Sequence, residues 1–156
     1  FCRGQQITAV ALGHSLFQDI SSEPTFSSKV KHTYSLSDAN DAGTRNILHE
    51  INIKKDSLIH RATGKLRITV NSRHHQAVRQ DPNNKSTKVV ATEGEHKLIE
   101  AIEFKNGKGH TFQFHPEDMQ TEDSRKILKE IINNAQQVYS TRRQQFLSLC
   151  LKNLFI

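Results

Sequence analysis

Residues 112–117 read FQFHPE and place an imidazole and a carboxylate two positions apart at the end of an alternating run. Polar and apolar residues alternate over 110–114, which predicts a β-strand. The ring of Pro116 restricts the backbone between His115 and Glu117 and so stiffens their spacing. A carboxylate beside an imidazole fixes its tautomer and stabilises the imidazolium formed during proton transfer. The same tripeptide is also common on protein surfaces, so a chemical role requires a partner motif.

The partner motif is FCRGQQ at residues 1–6, which supplies a thiol for such an imidazole to activate. Residues 5–12 are good helix formers, so Cys2 is predicted to lie just before a helix. The positive end of the helix dipole lowers the pKa of a thiol there and favours the thiolate. The backbone N–H of Arg3 would then point into the site and donate to an oxyanion. The alternative for Cys2 is an inert cysteine near a chain end.

Short strands and helices surround one long polar segment. Strands are predicted over 15–20, 47–53, 65–70, 88–92, 98–104 and 110–114. Helices are predicted over 5–12, 57–62 and 122–138. Residues 21–46 lack periodicity and predict a surface loop, 79–86 predict a turn, and Asn106-Gly107 predicts a hairpin. The predicted domain covers 1–140, and 141–156 form a C-terminal tail that continues the last helix or docks on a partner.

The composition describes a polar chain of the size of one domain. The formal net charge is +6, but the 22 Lys and Arg residues are scattered and no nucleic-acid-binding pattern accompanies them. No apolar run approaches the roughly 18 residues that span a bilayer. Cys2 and Cys150 lie almost a chain length apart, which excludes a disulfide scaffold and a CxxC site and favours a reducing, cytoplasmic compartment. We therefore expect neither nucleic acid nor a membrane among the partners.

Together the motifs resemble those of a known superfamily over roughly residues 1–135. FCRGQQ resembles the G-x-C-x-G-x-Q nucleophile motif of class I glutamine amidotransferase-like proteins, and FQFHPE resembles their V-Q-F/W-H-P-E motif. VNSRHHQAV at 70–78 is similar to a segment of one branch, the γ-glutamyl-γ-aminobutyrate hydrolases of the peptidase C26 group. ALGHSLFQDI at 11–20 and KLIEAIE at 97–103 also match that branch.

The resemblance implies a fold, a reaction and a set of site residues. The fold is the flavodoxin-like three-layer α/β/α class I glutamine amidotransferase fold. The reaction is attack of a thiolate on a small-molecule γ-glutamyl amide, giving a thioester that water cleaves, with no cofactor. The implied triad is Cys2 as nucleophile, His115 as general base and acid, and Glu117 as the orienting carboxylate. The remaining implied site residues are Arg3 as the oxyanion donor, and Gln6, Ser72, His74 and His75 as substrate-binding residues.

Several alternatives stay open at this point. The His74-His75 pair could be structural, or a metal site, although no third ligand has suitable spacing. Members of the superfamily carry strands and helices before the nucleophile, so the resemblance implies an N-terminally truncated member whose fold an upstream polypeptide would complete. The chain could instead be a degenerate, inactive remnant or an ammonia-donating glutaminase subunit. Arg3 and the sequence 74–76 favour the stand-alone hydrolase over that subunit.

Overall fold

The computed structural model describes residues 1–24, 26 and 47–154, with side chains up to residue 145. Most of the loop predicted over 21–46 therefore lies outside the described residues. Within them the chain forms strands, helices and two single 3₁₀ turns, at Ile20–Ser22 and Pro116–Asp118. The strands are β1 Ser15–Phe17, β2 Ile47–Ile53, β3 Arg67–Ser72, β4 Ala77–Arg79, β5 Thr87–Glu93, β6 Ile99–Phe104 and β7 His110–Phe112. The helices are α1 Arg3–Ala11, α2 Leu58–Thr63 and α3 Glu122–Leu154.

Five of the strands form one sheet in the order β3-β2-β5-β6-β7. All of its pairings are antiparallel, with Val70 opposite His49 and Ala101 opposite Phe112. The predicted hairpin at Asn106-Gly107 is confirmed, because β6 and β7 pair around it and Gly107 has a φ of 70°. A positive φ of this kind suits glycine, which has no Cβ to clash.

The sheet is covered on both faces, so the fold has three layers. On one face, apolar residues of the strands pack against α2 and α3 in a core that includes Ile51, Val70, Ala101, Leu58, Ile59, Phe112, Phe114 and Ile127. On the other face Val89, Ile99 and Ile102 pack with Ala9 of α1 and Val78 of β4. Strand β6, between β5 and the edge strand β7, is therefore buried along nearly its whole length. Each large side chain buried in these cores stabilises the fold by about 1.5–3 kcal/mol.

The sequence did not predict β4, which pairs antiparallel with β1 as a separate two-stranded ribbon. Each of the two strands has three residues, too few for an alternating pattern to stand out. The pairing joins Ser15 to Arg79 and Phe17 to Ala77 across a long stretch of chain. This ribbon places the segment 73–76 against α1, and that placement forms one wall of the site.

The predicted helix 122–138 is confirmed, and α3 continues without a break to Leu154. Glu122 and Asp123 lie in its first turn and stabilise the helix, because their negative charges interact favourably with the positive end of the helix dipole. Ile127, near the start of α3, is fully buried against the sheet. None of the helices in the described ranges, α3 included, is apolar over a length that could cross a bilayer.

A buried carboxylate on β6 holds the start of α2. Glu103 is 5% exposed, accepts a hydrogen bond from the Leu58 N–H at 2.6 Å, and pairs with Lys88 Nζ at 2.8 Å. Burial raises the pKa of Glu103, but His110, the Leu58 N–H and Lys88 together lower that pKa to about 2. The ionised carboxylate therefore stabilises the folded state above about pH 4.5, and this contribution is lost as the pH falls towards 2.

Replacing this carboxylate is expected to weaken the fold in a pH-dependent way. Glu103→Gln should lower the free energy of unfolding at pH 7 by about 1.5–3 kcal/mol, because a charged acceptor is lost. The deficit should shrink between pH 4.5 and 2, where the native carboxylate becomes protonated. Urea unfolding across this pH range measures both effects, with the exposed Glu95→Gln as control. An equal loss of unfolding free energy in Glu103→Gln and Glu95→Gln would contradict the stabilising role of Glu103.

Candidate active site

Cys2 lies on a sharp turn at the N-terminus of α1. Its φ of 46° is unfavourable for a residue with a Cβ, so the surrounding structure must hold it. Its N–H donates to the Phe112 carbonyl at 2.7 Å, and the next turn closes through the Gly4 N–H and the Phe1 carbonyl at 2.8 Å. A strained cysteine fixed to the end of a strand and followed by a helix has the geometry of a nucleophile elbow. The predicted position of Cys2 just before a helix is confirmed.

The protonation of Cys2 differs from the expectation drawn from the helix dipole. Burial raises the pKa of the thiol, and this effect outweighs the N–H of Arg3 and the Gln113 amide, which both lower it. The charge of Glu100 raises the pKa further. The expectation was wrong in sign because desolvation of the sulfur is a tertiary effect. Cys2 is therefore a thiol at neutral pH and needs a base to ionise it.

His115 and Glu117 form the pair that the HPE tripeptide predicted. His115 Nδ1 lies 2.8 Å from Glu117 Oε1, and the 3₁₀ turn Pro116–Asp118 brings the two side chains together. An ionised carboxylate only accepts, so Nδ1 carries the proton and Nε2 is left as the basic nitrogen. The imidazole is partly accessible, with 24% of its side chain exposed. This tautomer is the one a general base requires.

Asn71 fixes the backbone of His115, a role the sequence did not reveal. Its Oδ1 accepts from the His115 N–H at 2.8 Å and its Nδ2 donates to the His115 carbonyl at 3.0 Å. Asn71 is 1% exposed on β3, whereas His115 follows β7 at the opposite edge of the sheet. Asn71 belongs to the VNSRHHQ segment, in which several polar residues follow Val70, so no local pattern distinguished it.

An open pocket of about 610 Å³ lies beside Cys2. Its described lining is Cys2, Arg3, Gln6, Ile7, Val10, Leu16, Arg73, His74, His75 and Gln76. It thus brings together five of the predicted site residues, from α1 and from the segment before β4. No acidic side chain belongs to this described lining, so the pocket suits a ligand that carries negative charge.

The other predicted site residues lie outside that lining. Ser72 is fully buried at the end of β3, and His115 and Glu117 approach from the end of β7. Within the described residues no hydrogen bond joins the Cys2 sulfur to the His115 ring. The sulfur instead accepts a hydrogen bond from Gln113 Nε2 at 3.5 Å. Catalytic hydrogen bonds are often long in ligand-free enzymes and tighten when substrate binds.

The two adjacent histidines have different environments. His74 is 3% exposed, with Nδ1 at 2.9 Å from the Gln76 carbonyl and Nε2 at 3.5 Å from Glu100 Oε1. His75 is exposed, and its carbonyl accepts from the Ile20 N–H at 2.7 Å. His74 thus has a structural environment while its neighbour faces solvent. Among the residues the structure describes, no group of three or more His, Cys, Asp or Glu is arranged to hold a metal ion.

Glu100 is a fully buried carboxylate that sequence reasoning did not place in the site. It lies on β6 between His74 and His49, whose Nε2 is 3.2 Å from Glu100 Oε1. Burial raises the pKa of Glu100, but the His49 and His74 rings lower that pKa to about 2. Glu100 is therefore ionised at neutral pH inside the protein. A glutamate within the apolar run IEAIE was the signal that could have identified it.

Loss of the Asn71 amide is expected to displace His115. Asn71→Leu should lower the free energy of unfolding by about 1–3 kcal/mol, because the His115 N–H and carbonyl lose their partners. Asn71→Asp keeps the acceptor for the N–H and should cost less. Urea unfolding measures the difference, with the exposed Asn133→Leu as control. If Asn71→Leu unfolds at the same urea concentration as the control, Asn71 does not hold this backbone.

The fold is that of a known class of proteins. The chain has the α/β fold of the class I glutamine amidotransferases, as its likeness to solved structures shows. A Thermoplasma acidophilum protein provisionally described as a GMP synthase subunit superposes with a TM-score of 0.65 at 17% identity, over 91% of this chain and 58% of that one. A Thermotoga maritima glutamine amidotransferase gives a TM-score of 0.50 at 17% identity, over 91% of this chain and 47% of that one.

The family within this class follows from the sequence. The profile of the Peptidase C26 family matches residues 1–117, and the chain belongs to that family. The protein NtpR of Enterococcus hirae is 34% identical over 119 residues, which are 74% of this chain and 45% of NtpR. The chain thus spans about half the length of the relatives it matches. The predicted membership and α/β fold are confirmed.

Proposed function

We propose that this chain carries the nucleophile and the acid–base pair of a hydrolase for γ-glutamyl amides. Membership of Peptidase C26 supports a hydrolase or amidotransferase function. The observation that carries the proposal is the strained turn of Cys2, hydrogen-bonded to Phe112 three residues before the hydrogen-bonded pair His115 and Glu117. A thiol, an imidazole with a basic Nε2 and an orienting carboxylate are the parts of an activated cysteine nucleophile.

In the first half of the proposed reaction, His115 Nε2 takes the thiol proton and the Cys2 sulfur attacks the γ-amide carbon. The carbonyl oxygen becomes an oxyanion, and the backbone N–H of Arg3, which already interacts with the sulfur, is placed to donate to it. Collapse of the tetrahedral intermediate breaks the C–N bond. The amine leaves with the proton from the imidazolium, and a γ-glutamyl thioester remains on Cys2.

In the second half, water attacks the thioester carbon and gives its proton to His115 Nε2. The C–S bond breaks, the sulfur recovers the proton and glutamate is released. Glu117 holds the imidazole through Nδ1 in both halves and stabilises the imidazolium. No step requires a cofactor.

The charge of the pocket supports an amide whose amine portion is itself acidic, such as γ-glutamyl-γ-aminobutyrate. Arg3 and His75 are exposed on the pocket wall, and Arg73 is anchored by its ion pair with Asp118. A carboxylate on the leaving amine would meet this positive wall. Gln6 and His74 would contribute to the substrate side of the pocket, and Ser72 would support it from β3.

We also propose that a further polypeptide segment completes the site. The pocket is open, and apolar side chains on its α1 wall remain exposed, with Ile7 at 61% and Val10 at 51%. The matched relatives are about twice as long as the matched region, and the class supplies a second oxyanion donor from a separate loop. Loss of one such donor lowers kcat by about 10²–10³-fold. The chain alone should therefore be much slower than the chain with that segment.

The test is release of glutamate from γ-glutamyl-γ-aminobutyrate and from glutamine, by the chain alone and with the segment encoded directly upstream. We expect the added segment to raise the rate at least a hundredfold and the acidic amide to be cleaved faster than glutamine. Faster cleavage of glutamine than of the acidic amide, with one ammonia released for each glutamate, would favour an ammonia-donating glutaminase instead. No release from either amide in the complemented protein would contradict hydrolysis and favour a degenerate, inactive member.

A further inference from the structure

We propose that Gln113 is a further catalytic residue, whose side-chain amide donates to the Cys2 sulfur and is held in that orientation by a buried relay through Gln6, the Gln76 carbonyl and His74. The inference rests on the proposed role of Cys2 as the nucleophile. It concerns residues to which neither the sequence motifs nor the family match assigns this role.

The orientation of the Gln113 amide follows from its two neighbours. Gln6 Nε2 donates to Gln113 Oε1 at 3.3 Å, so the carbonyl end of Gln113 faces Gln6. The opposite end, Nε2, then faces the Cys2 sulfur at 3.5 Å and donates to it. Gln113 is fully buried, so water cannot replace either contact. If the Gln113 amide were flipped, its N–H groups would face the N–H groups of Gln6, which is unfavourable.

The Gln6 amide is fixed in turn by a backbone carbonyl. Gln6 Nε2 also donates to the Gln76 carbonyl at 3.1 Å, so both of its hydrogens are used. The same carbonyl lies 2.9 Å from His74 Nδ1. A carbonyl can only accept, so His74 Nδ1 carries a proton and donates. The Gln76 carbonyl therefore receives two hydrogen bonds and has little freedom to move.

Glu100 anchors the far end of this relay. Its buried carboxylate faces His74 Nε2 on one side and His49 Nε2 on the other. The contact with this carboxylate holds the His74 ring in place from the side opposite the Gln76 carbonyl. The polar groups thus run from Glu100, near the start of β6, to the Cys2 sulfur just before α1. Hydrogen bonds linked in this way in a low-dielectric interior strengthen one another.

A fixed donor matters here because the sulfur is buried and must carry a negative charge to react. An N–H facing the sulfur stabilises the thiolate relative to the thiol. Other groups also act on this sulfur or line its pocket, and none of them is altered in the variants below: Glu100, Arg3, Arg73, His74 and His75. His115 accepts the proton in the proposed reaction, so the N–H donor and the base have separate roles.

The test measures alkylation of Cys2 by iodoacetamide from pH 6 to 10, resolved by peptide mass spectrometry, with Cys150 of the same chain as internal reference. In Gln113→Glu the acceptor for Gln6 remains, but a carboxylate replaces the donor at the sulfur. We expect about tenfold slower alkylation at neutral pH and a profile displaced to higher pH, since one pKa unit is a tenfold change in thiolate. Iodoacetamide reacts with the thiolate, so substrate turnover is not needed.

Gln6→Glu tests the relay itself, because this residue has no hydrogen bond to the sulfur. Its carboxylate would face the carbonyl end of Gln113 and force that amide to flip, turning an oxygen towards Cys2. The neutral Gln6→Met removes the same N–H donors without adding charge. Both should slow alkylation severalfold and displace the profile in the same direction, whereas a merely structural role would leave the pH profile unchanged.

Gln18→Glu is the matched control, since this exposed side chain accepts from Gln76 Nε2 outside the relay. It should leave the profile of Cys2 as in the parent chain. Unchanged pH profiles of Cys2 alkylation in Gln113→Glu, Gln6→Glu and Gln6→Met would overturn the inference. Circular dichroism shows whether the charged variants fold. If they do not, the profile of Gln6→Met decides. Displaced profiles in a protein that hydrolyses no γ-glutamyl amide would support the relay and contradict only the proposed function.

Discussion

Cys2→Ser should reduce hydrolysis of γ-glutamyl amides by at least 10³-fold in the protein completed by its upstream segment. The serine hydroxyl is a far weaker acid than a thiol, so His115 cannot ionise it to the same extent. Removal of the nucleophile from enzymes with such a triad costs up to about 10⁶-fold in kcat. The fold should be unaffected, because the N–H of residue 2 still donates to the Phe112 carbonyl.

Release of glutamate under saturating substrate measures this effect. Cys150→Ser is the control, since it makes the same chemical change on α3, and it should retain the parent rate. An unchanged rate in Cys2→Ser would show that another group attacks the amide, and the role proposed for the elbow at Cys2 would then be wrong.

Glu100→Leu should cost about 3–5 kcal/mol in the free energy of unfolding at pH 7. Two histidines that are at most 8% exposed would lose the carboxylate that faces them. Removing the carboxylate is strongly destabilising, because the buried ring nitrogens that face it are left without compensation. The double variant Glu100→Leu/His49→Leu should recover part of this loss, since an apolar pair of similar volume avoids burying the polar groups.

The pH dependence adds a second signature for Glu100. Its pKa is lowered to about 2 in the folded protein, so its stabilising contribution is present above about pH 4.5 and is lost as the pH falls towards 2. Urea unfolding should therefore show the gap between parent and Glu100→Leu narrowing over that range. A gap that is small at pH 7, or that stays constant down to pH 2, would contradict an ionised Glu100 in the interior.

The sequence predicted the elements that have strong local signals. These signals depend only on neighbours along the chain. They are the alternating residues of β2, the hairpin glycine at Gly107 and the helical spacing from Glu122 onwards. The resemblance predicted a triad of Cys2, His115 and Glu117, which stays a prediction; the structure shows the Cys2 N–H donating to the Phe112 carbonyl. The ribbon of β1 and β4 was missed because three-residue strands leave no periodic pattern, and tertiary contacts alone decide their pairing.

The interior of the site could not be predicted in the same way. A glutamine just after a strand, such as Gln113, gives no sign of which amide end faces a sulfur 111 positions away. The pKa of Cys2 was predicted with the wrong sign, because the helix dipole is visible in the sequence whereas the extent of burial is not. Glu100 was visible as a polar residue in an apolar run and Asn71 only as one of several polar residues after Val70, and their partners, His49 and His115, come from other parts of the chain.

Affinity labelling tests most directly whether Cys2 is the nucleophile of a γ-glutamyl site. The protein with its upstream segment would be treated with γ-glutamyl chloromethyl ketone, with and without excess γ-glutamyl-γ-aminobutyrate, and the modified peptides identified by mass spectrometry. We predict modification of Cys2 but not of Cys150, and protection of Cys2 by the amide. Equal modification of both cysteines, or modification of Cys2 that the amide does not slow, would contradict a γ-glutamyl hydrolase centred on this thiol.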